Sequence, residues 1–140
     1  MRNLNLETPG WILLAALGFI GVHAAESQTV NSTDATRVQH LEAEAARQLV
    51  EQKRIVVLDI RTPEEFRAGH ITGARNIDFR AHDFEKQIAV LPKDGAYLLH
   101  CASGNRSTQS LPTFSKLDFK SVCHLDGGIK AWQKAKLPVE

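Results

Sequence analysis

The chain has 140 residues and a formal net charge of +1, from 17 basic and 16 acidic side chains. That length makes one domain with a core of its own, and two cysteines are too few for a disulfide scaffold. The near-neutral balance carries no electrostatic footprint of a nucleic-acid binder or of a protein drawn to anionic membranes, so any preference for anions must be local.

The first segment reads as an address label. Arg2 precedes an apolar run over residues 11–22, and Val22, Ala24 and Ala25 supply small residues behind it. The run is too short to cross a bilayer comfortably. The pattern predicts a signal peptide over residues 1–24, with cleavage after Ala24 or the neighbouring Ala25, and export to the periplasm. Glu7 offsets Arg2, which leaves an uncleaved N-terminal anchor as the alternative. Residues 25–36 are polar and aperiodic, as a linker is. Within them Asn31-Ser32-Thr33 matches a glycosylation acceptor, meaningful only in a host that uses it. The folded domain is expected over residues 37–140.

Alanines and glutamates predict a first helix over residues 41–53, with Leu41, Ala45, Leu49 and Val50 on one face. Ile55-Val56-Val57-Leu58-Asp59-Ile60 is nearly unbroken and β-branched, the pattern of a strand covered on both faces in a parallel sheet. Pro63, followed by Glu64 and Glu65, starts a short helix that Gly69 stops. A strand is expected over residues 74–77 and a helix over residues 83–90, before Pro92. The apolar strand at residues 96–100 runs into a small-residue loop. A helix from Ser107, a strand at 121–125 and a last helix from Ile129 follow, with a kink or a short first turn expected at Pro112. This alternation predicts an α/β fold, a mostly parallel sheet with helices on both faces. Ligands of such folds bind beyond the carboxyl ends of the strands.

Cys101 stands at such an end. The loop Ala102-Ser103-Gly104-Asn105-Arg106 carries it toward a helix start at Ser107. Backbone N–H groups and the positive helix end converge there, and with the Arg106 guanidinium they favour the thiolate. Gly104 permits a turn that a Cβ would resist, and Asn105 tolerates left-handed geometry. The result is an anion cradle with a nucleophile at its base.

Three motifs, in order and in register, resemble the rhodanese family. Asp59-Ile60-Arg61-Thr62-Pro63-Glu64-Glu65-Phe66 with Gly69-His70-Ile71-Thr72-Gly73-Ala74-Arg75-Asn76-Ile77 is similar to its amino-terminal signature. Cys101 through Ser107 resembles its active-site loop, and Leu125-Asp126-Gly127-Gly128-Ile129-Lys130-Ala131-Trp132 its carboxyl-terminal signature. The resemblance implies an α/β sandwich around a five-stranded parallel sheet, and transfer of sulfane sulfur through a cysteine persulfide. A single-domain exported form resembles small periplasmic thiosulfate sulfurtransferases. The implied partners are a small sulfur donor such as thiosulfate and a thiol or cyanide acceptor, with a periplasmic protein as a further acceptor. No cofactor, metal, nucleic acid or membrane is expected after signal cleavage, and the protein is expected to be a monomer. Cysteine-dependent phosphatases also place a His-Cys pair before an anion loop, but theirs is one residue longer. Here four residues lie between Cys101 and Arg106, a ring better suited to one sulfur atom than to a phosphoryl group.

Two roles stand open for Arg106: contact with the substrate anion, or pairing with a carboxylate such as Asp59 to hold the loop. Arg61 is expected to tie down the strand end beside Asp59, and Arg75 either steers substrate or is a solvated charge. Ser103 is neutral where some relatives carry a cation. That departure motivates a second reading, a persulfide carrier or binding module serving a protein partner with little turnover on small molecules. The pairs His100-Cys101 and Cys123-His124 match no zinc spacing, His70 looks like a turn residue holding backbone, and Ile129 and Trp132 read as core. Gly127-Gly128 are expected to allow a tight strand-to-helix passage. Cys123 is expected as a buried thiol, with a disulfide to Cys101 as the lesser alternative.

Overall fold

A computed structural model describes residues 35–140. The signal peptide and almost all of the linker expected from the sequence lie outside the described residues. The elements alternate as β1 (Arg37–Leu41), α1 (Ala43–Glu51), β2 (Val56–Asp59), α2 (Pro63–Arg67) and β3 (Arg75–Asn76). They continue as α3 (Phe84–Ala89), β4 (Ala96–His100), α4 (Asn105–Lys116), β5 (Ser121–Leu125) and α5 (Gly128–Lys134). The five strands form one sheet in the order β1-β5-β4-β2-β3, and every pairing is parallel.

The alternation of side chains along each strand divides the core between the two faces. Leu58, Tyr97, Leu99 and Val122 pack with Phe84, Ile88 and Phe114 under α3 and α4. Val57, Leu98, Cys123 and Leu125 pack with Ala46, Ile129 and Trp132 under α1 and α5. Each fully buried Leu or Ile contributes about 1.5–3 kcal/mol. A sheet covered this way leaves its carboxyl edge as the natural site for ligands.

Most boundaries fall within one or two residues of the sequence reading, and two differences bear on the site. Residues 37–41 form an edge strand, and the helix expected from residue 41 begins at Ala43. Four of the five β1 residues are exposed, so the segment lacks the apolar signature of its neighbours. The other difference lies after the loop. Gly104 takes the N-cap position of α4 at φ +98°, and the helix therefore starts at Asn105, two residues before the expected Ser107. It runs on through Pro112 to Lys116 as one helix, so the proline does not end a short first turn.

Candidate active site

Cys101 leaves the end of β4, the central strand, and is 1% exposed. The loop is shaped from outside by α5. The Ile129 N–H donates to the Cys101 carbonyl at 2.9 Å, and the Lys130 N–H to the Ala102 carbonyl at 3.1 Å. Both carbonyls are thereby engaged by α5. Gly128 makes this contact possible. A Cβ there would lie 2.4 Å from the Cys101 carbonyl oxygen, and the residue has φ +59°. The paired glycines thus do more than ease the strand-to-helix passage, because Gly128 seats the active loop.

Donors face the sulfur from the other side. The Gly104 N–H approaches Sγ at 3.2 Å and the Ser107 hydroxyl at 3.5 Å. Burial of the thiol opposes its ionisation, but the Ser107 hydroxyl and the amides of Ser107, Ser103 and Gly104 outweigh that cost. The thiol's pKa falls below its ordinary value. Ala102 is half-buried, and Ser103 and Asn105 are exposed at the rim. Of the loop residues expected from the sequence, 102 to 107, Gly104 and Ser107 place donors on the sulfur and the Ser103 amide also favours its charge.

The cations divide by role. Arg106 makes a bidentate pair with Glu65, at 2.7 Å for each bond. The loop-holding alternative is the one the geometry shows, with a correction: its carboxylate is Glu65, whereas Asp59 belongs to Arg61. Favourable interaction with Cys101 also raises the Arg106 pKa, after the larger effect of Glu65. Asp59 is fully buried, and Arg61 binds it through its amide and guanidinium while donating to the Gly69 carbonyl at 2.8 Å. Such a pair positions the turn more than it stabilises the fold, since both charges pay desolvation. Arg75 is exposed on β3.

His100 is fully buried, and burial pushes its imidazole below the usual value against the pull of Asp59. Its Nδ1 lies 3.2 Å from the Cys101 carbonyl. His70 holds the Phe66 carbonyl at 3.0 Å, as expected of a turn residue. Both cysteines are free, and they lie in the cores on opposite faces of the sheet. An apolar groove of about 560 Å³ opens between α1, the start of β2 and residues 71–73, and it includes none of the loop residues.

The sequence reading missed Glu65 and the trio His40, His124 and Asp126. A signal for Glu65 was present, because Thr62 and Glu65 have the spacing of a capping box and the structure forms one. The trio became visible only with β1, whose His40 lies in register beside His124. Their donor atoms fall within 4.8 Å of one another. Hydrogen bonds from both imidazoles to one Asp126 oxygen, at 2.8 and 3.0 Å, account for that cluster.

Comparison with known proteins agrees with this fold. The family model for the Rhodanese-like domain matches residues 42–135. The chain belongs to the rhodanese-like domain family. This rhodanese-like domain is 39% identical over 95 residues to thiosulfate sulfurtransferase GlpE of Pseudomonas aeruginosa, covering 68% of the chain and 84% of that protein. It is 35% identical over 86 residues to the probable adenylyltransferase/sulfurtransferase MoeZ of Mycobacterium tuberculosis, covering 61% of the chain. The match spans only 22% of the length of MoeZ. Among solved structures, a rhodanese-related protein from Thermoplasma volcanium superposes with a TM-score of 0.66 at 28% identity, covering 73% of this chain and 97% of that one. A Rhodopseudomonas palustris protein of unknown function, described as a possible tyrosine phosphatase, gives 0.62 at 27% identity, covering 74% and 85%.

Proposed function

We propose that the domain moves a sulfane sulfur from thiosulfate, or a similar small donor, to a thiophilic acceptor through a persulfide on Cys101. The observation that carries this reading is the ring of donors on Sγ, with the Gly104 N–H at 3.2 Å and the Ser107 hydroxyl at 3.5 Å. The thiolate attacks the outer sulfur of thiosulfate. A Cys101 S–S bond forms as the donor's own S–S bond breaks, and sulfite leaves with the electron pair. The inward amides then hold the terminal persulfide sulfur, as a nest of N–H groups holds any small anion. Attack by a thiolate or by cyanide on that sulfur returns the Cys101 thiolate, so the two half-reactions alternate in ping-pong order. The short spacing between Cys101 and Arg106, and the engagement of Arg106 with Glu65, favour sulfur transfer over phosphoryl chemistry.

A second reading, a persulfide carrier for a protein acceptor, is favoured by exposed and neutral Ser103, which contributes little to holding a dianion. Residues 11–22 and the small residues behind them support action after export, in the periplasm, and an uncleaved anchor is the variant of this reading.

The test is steady-state assay with thiosulfate and cyanide. Thiocyanate and sulfite are expected in equal amounts, with parallel double-reciprocal plots and no product from Cys101→Ser. A normal persulfide with very slow release to small acceptors, accelerated by a periplasmic extract, would support the carrier reading instead. Product formation by Cys101→Ser would overturn both.

A further inference from the structure

A continuous hydrogen-bonded path leads from the catalytic sulfur to the surface through residues that the transfer chemistry above leaves unused. Ser107 Oγ is 3.5 Å from Cys101 Sγ and 2.9 Å from His124 Nε2. His124 is 3% exposed on β5, and its other nitrogen, Nδ1, lies 3.0 Å from Asp126 Oδ1. The same oxygen accepts from His40 Nδ1 at 2.8 Å, on a histidine side chain that is 55% exposed. Hydrogen bonds from the two imidazoles, His40 first, hold the Asp126 carboxyl below its usual range despite partial burial.

Two arrangements of the protons use every bond of this path. An ionised Asp126 can only accept, so His124 presents Nδ1–H to it. With a neutral ring, Nε2 is then an acceptor. Of its neighbours, the Gly104 carbonyl at 3.3 Å has no proton to give, and the nearest donor is the Ser107 hydroxyl at 2.9 Å, ahead of the Thr108 hydroxyl at 3.3 Å. A Ser107 proton given to the ring is withheld from the sulfur and from the Gly104 carbonyl, its other acceptor at 3.0 Å. If Ser107 turns its proton to a Cys101 thiolate instead, its oxygen is left as an acceptor 2.9 Å from Nε2, a place that an imidazolium N–H fills. Its Nε2–H then has Ser107 Oγ and the Gly104 carbonyl as acceptors. The path thus accommodates thiol with imidazole and thiolate with imidazolium, two states that differ only in where one proton resides.

We propose that His124 takes and holds the proton of the Cys101 thiol, passed through the Ser107 hydroxyl, with Asp126 as its counter-charge. The Cys101 S–H bond breaks, the proton moves to Ser107 Oγ, and the serine's own proton moves to His124 Nε2. No electrons change hands. His124 is a positioning residue that acts through Ser107. The charged and titratable groups around the path are His40 from β1, Asp126 from the exit of β5, and Cys101 with Arg106 and its partner Glu65 from the loop side. Thr108 adds a hydroxyl 3.3 Å from Nε2. Coupling of this kind gives macroscopic titrations that belong to the pair.

The inference rests on Cys101 being the nucleophile, so its test uses no sulfur donor. The rate of iodoacetamide alkylation at Cys101, read by peptide mass, is followed against pH in the wild type, His124→Gln and Asp126→Asn. Loss of the imidazolium is expected to raise the titration midpoint by about one pH unit or more in His124→Gln, which means alkylation roughly tenfold slower below the midpoint. Loss of the counter-charge is expected to shift Asp126→Asn the same way by less, and that side chain is 40% exposed, so the variant keeps the test alive if His124→Gln does not fold. A purely structural role would change the rate alike at every pH and leave the midpoint in place. In the wild type, the His124 ring nitrogens should titrate by NMR in the same step as the thiol. Unmoved midpoints in the variants, or His124 titrating independently of Cys101, would overturn the proposal. A wild-type midpoint at the value of free cysteine would instead count against the nucleophile itself.

Discussion

Arg106 and Glu65 join the two helix starts that frame the sulfur. Both guanidinium-to-carboxylate bonds are 2.7 Å long, and the same Glu65 carboxylate accepts from the Thr62 N–H at 3.1 Å in the capping box of α2. One side chain therefore closes a helix cap and anchors the far end of the active loop. Planar bidentate geometry is what arginine offers and lysine does not.

Removing that anchor tests its worth. Glu65→Ala is expected to cost about 1 kcal/mol of stability, the order at which caps and half-exposed ion pairs contribute. The larger effect falls on the loop, with sulfur-transfer kcat/KM down by roughly tenfold or more, the scale on which misplaced reacting groups act. Arg106→Lys is expected to behave like Glu65→Ala, because it keeps charge but loses the fork. Denaturant unfolding and steady-state kinetics check both.

The same pair sets an acid limit. The Arg106 guanidinium holds the Glu65 carboxyl down to about 2, below its ordinary value of 4.5, against the opposing effect of burial. Because the folded-state value is depressed, this contribution is complete above pH 4.5 and is lost as pH falls toward 2. Stability measured across that window should fall less steeply in Glu65→Gln than in the wild type.

Gly128→Ala tests the outer wall of the loop. The added methyl meets the Cys101 carbonyl oxygen at 2.4 Å, and the residue has φ +59°. Backbone must move, so a loss of about 3 kcal/mol or more is expected, with sulfur transfer abolished or nearly so. Gly73→Ala is the control for positive φ without a clash. Gly73 has φ +76° and open space around it, so only the strain cost is expected there.

The sequence made the sheet and the loop legible because both carry strong local signals. Buried strands such as β4 are continuous apolar runs, and Cys101 stands in a motif with fixed spacing. Edge strand β1 carries no such signal, since Arg37, Val38, Gln39 and His40 are exposed and only its pairing with β5 makes it a strand. Partners far apart in the chain were hidden for the same reason. Arg106 with Glu65, and His40 with Asp126, are joined by topology rather than by spacing.

Charge at the rim should tune donor binding. Ser103 is exposed beside the sulfur and neutral. Ser103→Lys is expected to lower KM for thiosulfate several-fold, with kcat changed less, because a cation at a few ångströms in water is worth about 1 kcal/mol against each unit of charge. The gain should shrink as salt rises. Initial rates at two ionic strengths read the effect.

Cys123 lies in the core on the face opposite Cys101, and burial pushes its thiol up. Cys123→Ser is expected to keep sulfur transfer while losing about 1–3 kcal/mol for a hydroxyl in apolar surroundings. Loss of turnover in a folded Cys123→Ser would point instead to a redox pairing of the two thiols.

The most direct measurement is the intact mass of the purified protein after incubation with thiosulfate and removal of small molecules. The account predicts a gain of one sulfur atom per chain, reversed by cyanide and absent from Cys101→Ser. An unchanged mass in the wild type, or an equal gain in Cys101→Ser, would contradict it.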